Sequence, residues 1–370
     1  MKKSLLSLLL VFLVSIGLIA CSSDNTTASE PAKDPEAPTE EASKEEPTAE
    51  VGQLEVVIER LLSNNLLVPL GDIPVPEDNP MIDKVIELGQ ILYFDPRLSG
   101  NNERSCMTCH VPELGYGDAR ATFEKFDGSD GPRNSPTVIN SGYYTSNFWD
   151  GRAASLEEQA LGPIQDPGEM NQPLDELLVK LTGIEGYPEL FEAAFGDPEI
   201  TAERIGKAIA AFERLVVVRD TPYDRFLQGE LDALNEQEIR GLDLFAGKAS
   251  CITCHQGENL SDNQFHNIGI VRDSEGRKAV TGNDADLGAI RTPGLYGLTH
   301  TAPFMSDGSI ATVEEVVEYY NRGGDLHPNK SGLINPLNLS AEEQADLVAF
   351  LKALGGEVPL FAKPELPSMN

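Results

Sequence analysis

The chain has 370 residues, 40% of them apolar and 24% charged, enough for two domains that each bury a core. Extended disorder and collagen-like repeats are excluded for most of that length. Acidic residues outnumber basic ones 60 to 28, and the net charge of −32 repels nucleic acid and anionic lipid while favouring a basic protein partner.

Met1 to Ala20 reads as an export signal, with Lys2 and Lys3 ahead of an apolar run from Leu5 to Ile19 that is short for a spanning helix. Leu18-Ile19-Ala20-Cys21 resembles a bacterial lipobox, in which cleavage leaves Cys21 as a diacylated N-terminus. The mature protein is then expected at the periplasmic or another extracytoplasmic face, touching membrane only through the lipid on Cys21. Residues 21–52 read as an acidic linker. Ser22 to Glu50 carry nine acidic and two basic side chains and almost no large apolar one, so nothing there can bury enough surface to order itself.

Two domains are expected beyond the linker, 53–230 and 231–370, with a boundary in the segment Gln228 to Asn235. The remaining four cysteines form two pairs, Cys106/Cys109 and Cys251/Cys254, 145 residues apart and each followed at once by a histidine. The flanks repeat as well: Leu88-Gly89-Gln90-Ile91-Leu92-Tyr93-Phe94 precedes the first pair, and Arg240-Gly241-Leu242-Asp243-Leu244-Phe245 the second. Helical periodicity dominates elsewhere. Ile205, Ile209, Phe212 and Val216 share one face, as do Leu347, Phe350, Leu351 and Leu354. Ser340 with Glu343 makes a capping box before the second of these helices, and Gly355 is placed to end it. The expected fold is mostly α, two cytochrome c-like haem domains in tandem joined by long Gly- and Pro-rich loops.

C-x-x-C-H is the attachment site of a c-type haem: both thiols add to the vinyl groups, and the adjacent histidine reaches the iron axially. A thioredoxin-like dithiol needs no following histidine, and a zinc ribbon needs its second pair far closer than 145 residues. Two covalent haems are therefore expected, on Cys106, Cys109 and His110 and on Cys251, Cys254 and His255. That uses every cysteine except Cys21 and leaves none for a disulfide.

With these motifs the chain resembles the bacterial di-haem cytochrome c peroxidase family, including its MauG-like branch, from about Asp83 onwards. Carrying the resemblance are Leu92-Tyr93-Phe94-Asp95-Pro96-Arg97-Leu98-Ser99, Arg133-Asn134-Ser135-Pro136-Thr137, and Asn147-Phe148-Trp149-Asp150-Gly151-Arg152-Ala153 through Gly162-Pro163-Ile164 to Pro167-Gly168-Glu169-Met170. Val280-Thr281-Gly282-Asn283 and Thr301-Ala302-Pro303-Phe304-Met305 add to it in the second half. The resemblance implies that hydrogen peroxide reacts at the haem on His110 while the haem on His255 relays electrons from a small c-type cytochrome or similar donor. It also implies that Glu169 moves the peroxide proton, although by residue type alone Glu169 is one acid among 60. Trp149, the single tryptophan, matches a residue between the haems that assists electron transfer. Asn134, Thr301 and Pro303 match calcium ligands. His266, His300 and His327 read as hydrogen-bonding rather than iron-binding, and Arg152 and Arg291 as either propionate partners or surface ion pairs.

Two departures stand out. Many members block the peroxide-facing iron with a second histidine, yet none occurs between His110 and His255, so that iron is expected to be open. The sixth ligand of the other haem, a methionine in typical peroxidases, falls at Tyr320, as in MauG-like members, with Met305 as the rival. Thr312 and Glu315 form a capping box there, and Val313, Val316, Val317 and Tyr320 share the inward face. Three activities follow in order of support: a peroxidase, a MauG-like oxidase of a protein or organic substrate, and a non-catalytic electron carrier.

Overall fold

The computed structural model describes residues 49–270 and 275–368. The export signal, Cys21 and most of the acidic linker lie outside them. Twelve helices occur among the described residues: α1 (Ala49–Leu62), α2 (Asp83–Phe94), α3 (Cys106–Cys109), α4 (Leu156–Gln165), α5 (Leu174–Thr182), α6 (Tyr187–Phe195), α7 (Ala202–Glu213), α8 (Pro222–Leu227), α9 (Glu236–Ala246), α10 (Lys278–Thr281), α11 (Val313–Asn321) and α12 (Ala341–Ala353). The one sheet is a two-residue antiparallel pair, β1 (Phe265–His266) with β2 (Ile290–Arg291).

Polar side chains set most helix starts. Ser155, Thr201, Asn235, Thr312 and Ser340 each accept the N–H three residues on, and Asn235, Thr312 and Ser340 complete capping boxes with Glu238, Glu315 and Glu343. Two ends differ from the sequence reading. α1 begins at Ala49, inside the expected linker, because Leu54, Val57, Ile58 and Leu61 give it an apolar stripe that packs into the core. α7 ends at Glu213, before Val216, where the β-branched run Val216-Val217-Val218 leaves the helix while Val216 stays buried.

The repeat seen in the sequence is a repeat in packing. α2 crosses α7 at Gly89, where a Cβ would stand 1.8 Å from the Ala208 carbonyl oxygen; α9 crosses α12 at Gly241, where it would stand 2.0 Å from that of Asp346. Only glycine permits either crossing. One apolar cluster, including Leu88, Leu92, Leu177, Phe191, Ile205 and Ile209, lies wholly in the first half. The other joins Leu61, Tyr93, Phe212, Phe245, Phe350 and Leu354, so side chains from both sides of the 228–235 loop share it. Each such fully buried Leu or Phe contributes about 1.5–3 kcal/mol. The shared core is what fixes the two C-x-x-C-H turns in one frame.

Candidate functional site

Both C-x-x-C-H turns are held the same way. In the first, Ser105 N–H donates to Thr108 Oγ1 at 3.0 Å and His110 N–H to the Cys106 carbonyl at 3.0 Å. In the second, His255 N–H donates to the Cys251 carbonyl at 2.9 Å. His110 Nδ1 donates to the Tyr116 carbonyl at 3.2 Å, and His255 Nδ1 to the Leu260 carbonyl at 3.0 Å. Tyr116 and Leu260 adopt φ of +56° and +49°, the left-handed conformation that turns each carbonyl back toward its ring. These bonds fix the tautomer and leave each Nε2 lone pair for a metal. Burial holds both imidazoles below the usual histidine range, hence neutral. Neither Tyr116 nor Leu260 was legible as a site residue, because a carbonyl acceptor leaves no side-chain signature.

A cavity of about 270 Å³ opens beside the second turn. It is lined by Cys251, Cys254 and His255, by Tyr320 and Met305, and by Trp149, Asn134, Thr301 and Pro303. Trp149 Nε1–H donates to the Asn134 carbonyl at 2.9 Å, and the Trp149 main-chain carbonyl accepts Arg291 N–H at 2.9 Å, so the residue is tied to both halves. Arg291 also lines the cavity, is 5% exposed, and stacks 3.4 Å over the Tyr144 ring with its Nε lacking any partner. A buried cation short of an acceptor suits a haem propionate. Two thiols, a neutral imidazole Nε2 and that guanidinium make this chain's residues fit c-type haem. Arg152 differs: it is exposed, pairs with Asp150 at 3.1 Å and stacks on Phe148.

The repeat extends to the segments that precede α4 and α11. Asn147 bridges Ala153 as Phe304 bridges Ile310, Phe148 and Met305 both have positive φ (+66° and +74°), and Ser155 and Thr312 both cap the helix that follows. Eight residues past those caps stand Pro163 on α4 and Tyr320 on α11. Tyr319 is bound up, its hydroxyl donating to the Ile268 carbonyl at 2.9 Å and accepting Asp325 N–H at 3.0 Å. Among the described residues no hydrogen bond reaches the Tyr320 phenol, whose pKa burial and the Cys251 and Cys254 thiols push up.

Glu169 lies in the turn after α4, its N–H donating to the Asp166 carbonyl at 3.0 Å. Its carboxyl is half-buried. Burial first, then Asp166, pushes its pKa up to about 7, against the opposing pull of Arg152. After burial and Asp118, its charge also raises the Cys109 thiol, so it bears electrostatically on the first C-x-x-C-H turn. The remaining histidines hydrogen-bond: His266 Nε2 to Asp262 at 2.8 Å and His300 Nε2 to the Gly356 carbonyl at 3.2 Å, while His327 Nδ1 accepts from Asn267 Nδ2 at 2.8 Å. Among the described residues no helix is long and apolar enough to cross a membrane.

Two histidine-bearing turns and a shared core define a tandem c-type haem protein. The family model described as di-haem cytochrome c peroxidase matches residues 83–232, and a cytochrome c model matches 239–355. The methylamine utilization protein MauG of Methylorubrum extorquens is 38% identical over 299 residues, covering 80% of this chain and 85% of that protein. The cytochrome c551 peroxidase of Nitrosomonas europaea is 36% identical over 303 residues, covering 80% of this chain and 87% of that protein. A crystal structure of a MauG-like protein associated with microbial copper homeostasis superposes with a TM-score of 0.71 at 35% identity, covering 79% of this chain and 94% of that one. The diheme peroxidase BthA of Burkholderia thailandensis, at 23% identity and a TM-score of 0.65 over 82% of this chain and 95% of that one, shares the fold. The chain belongs to the di-haem cytochrome c peroxidase family, and its cofactor is haem.

Proposed function

We propose that this chain reduces hydrogen peroxide to water beside His110, with electrons entering through the half that carries His255. Glu169 is the observation that carries the reading: a half-buried carboxyl near the first haem turn with a pKa of about 7 can both take and return a proton at neutral pH. Cys106 and Cys109, and Cys251 and Cys254, would hold the haems through thioether bonds, and His110 and His255 Nε2 would bind the irons. When bound, the haems supply the two electrons that break the oxygen–oxygen bond. Glu169 takes a proton from the near peroxide oxygen and delivers it to the far one, which leaves as water. Trp149, fastened to Asn134 and Arg291, assists electron passage between the halves.

Residues 53–230 then form the peroxidatic domain and 231–370 the electron-transfer domain. Asn134, Thr301 and Pro303 line one cavity and offer oxygen donors of the kind a calcium ion takes. The acidic surface favours a basic small cytochrome as donor. Export and diacylation at Cys21 place the enzyme at the periplasmic or another extracytoplasmic membrane face; Cys21→Ala then loses lipid labelling, and equal labelling of the variant refutes the anchor. A MauG-like oxidase is the second reading, favoured by the Tyr320 phenol facing the cavity.

Stopped-flow mixing of the holoprotein with peroxide and then with reduced c-type cytochrome decides between them. Fast donor oxidation supports the peroxidase. A long-lived oxidised species that ignores the donor supports the oxidase.

A further inference from the structure

Glu213, the last residue of α7, is 6% exposed, and among the described residues no hydrogen bond or ion pair reaches its carboxyl. The adjacent Arg214 turns away to Glu157 at 2.8 Å. Glu213 nevertheless bears on the first haem turn: its charge raises the Cys106 thiol, second only to burial, and raises Tyr93, whose hydroxyl donates to the His110 carbonyl at 2.7 Å. The geometry agrees, since Phe212, the residue before Glu213, packs edge-on against that Tyr93 ring with centroids 5.1 Å apart. Neither peroxide chemistry nor electron entry as described above uses it.

We infer that Glu213 is a redox-linked proton site of the haem on His110, holding a proton when that haem is reduced and releasing it when the haem is oxidised. The inference rests on the reading that Cys106 carries haem. An unpaired carboxylate in this position is costly, since burial and the negative end of α7 both oppose its charge. Oxidation adds one positive charge beside it and offsets that cost. One electron leaves the haem and one proton leaves Glu213 for solvent; reduction restores both. Burial pushes the carboxyl up to about 8 when no positive haem charge stands beside it.

No other neighbour titrates in that range. Tyr93, from α2, is pushed far up by burial; Cys106, from α3, is consumed as a thioether. Glu157, from α4, is held below its usual range by Arg214 and Asn79 despite its burial.

Spectroelectrochemical titration of the holoprotein at a series of pH values tests this, and it needs no peroxide turnover. The midpoint potential of the haem on His110 should fall as pH rises toward about 8 and level off above it, because the carboxylate stabilises the oxidised form and beyond that pH no proton is exchanged. Glu213→Gln should lose that shift, and the haem on His255 should respond alike in both proteins. Redox-difference infrared spectra should show a protonated carboxyl band that disappears in Glu213→Gln and moves in Glu213→Asp. An unchanged pH dependence in Glu213→Gln overturns the inference, as does a wild-type spectrum with no carboxyl band. Absent peroxidase activity with the shift intact would instead count against the proposed reaction alone.

Discussion

Pro163 and Tyr320 occupy the same place in the two halves, each the eighth residue of a helix capped by Ser155 or Thr312 and preceded by the same bridged turn. The proline side chain offers no donor atom to a metal, whereas that of tyrosine offers a phenol.

Resting-state ligation should follow that difference. Electron paramagnetic resonance of the oxidised holoprotein is expected to show one high-spin and one low-spin ferric signal, with only the low-spin signal altered in Tyr320→Phe. Two low-spin signals would mean that the haem on His110 is closed. An unaltered signal in the variant would give the ligand role to Met305, which lines the same cavity.

Glu169→Gln keeps the size of the side chain and removes the proton carrier, so peroxide activation should slow about 10²–10⁴-fold with both haem spectra preserved. The pH profile has a fixed sign. Glu169 must be ionised to accept the first proton, so the wild-type rate should rise with pH through about 7, and the residual rate of the variant should be flat across that range. A pH-dependent variant would assign the titration to another group.

Gly241→Ala tests the helix crossing that fixes the second haem turn. Its Cβ would stand 2.0 Å from the Asp346 carbonyl, so α9 and α12 must separate, at a cost of about 1–3 kcal/mol. Denaturant unfolding should show a lower midpoint, and Gly89→Ala should do the same across α2 and α7. A neutral result at either position would mean that the helices shift without loss.

Haem content tests the assigned motifs. The purified protein should hold two haems per chain that resist acid-acetone extraction. Cys106→Ser with Cys109→Ser should leave one, and so should Cys251→Ser with Cys254→Ser. Removal of both haems by either double change would place the attachment sites wrongly.

By itself the sequence determined what local chemistry can encode. The two C-x-x-C-H motifs, the capping boxes at Thr312 and Ser340 and the apolar face of α12 are contiguous or nearly so, and they could be read directly. Glu169 and Trp149 were legible only through resemblance, since nothing in their immediate surroundings separates them from other acids or a core aromatic. Only the tertiary structure decided that Tyr320, Met305 and Arg291 face one cavity, that the Tyr116 and Leu260 carbonyls hold the histidine rings, and that Glu213 is buried without a partner. Each of these depends on packing between segments far apart in the chain. Burial, a carbonyl's direction and the lack of a counter-charge are set by those neighbours, not by the residue's own type.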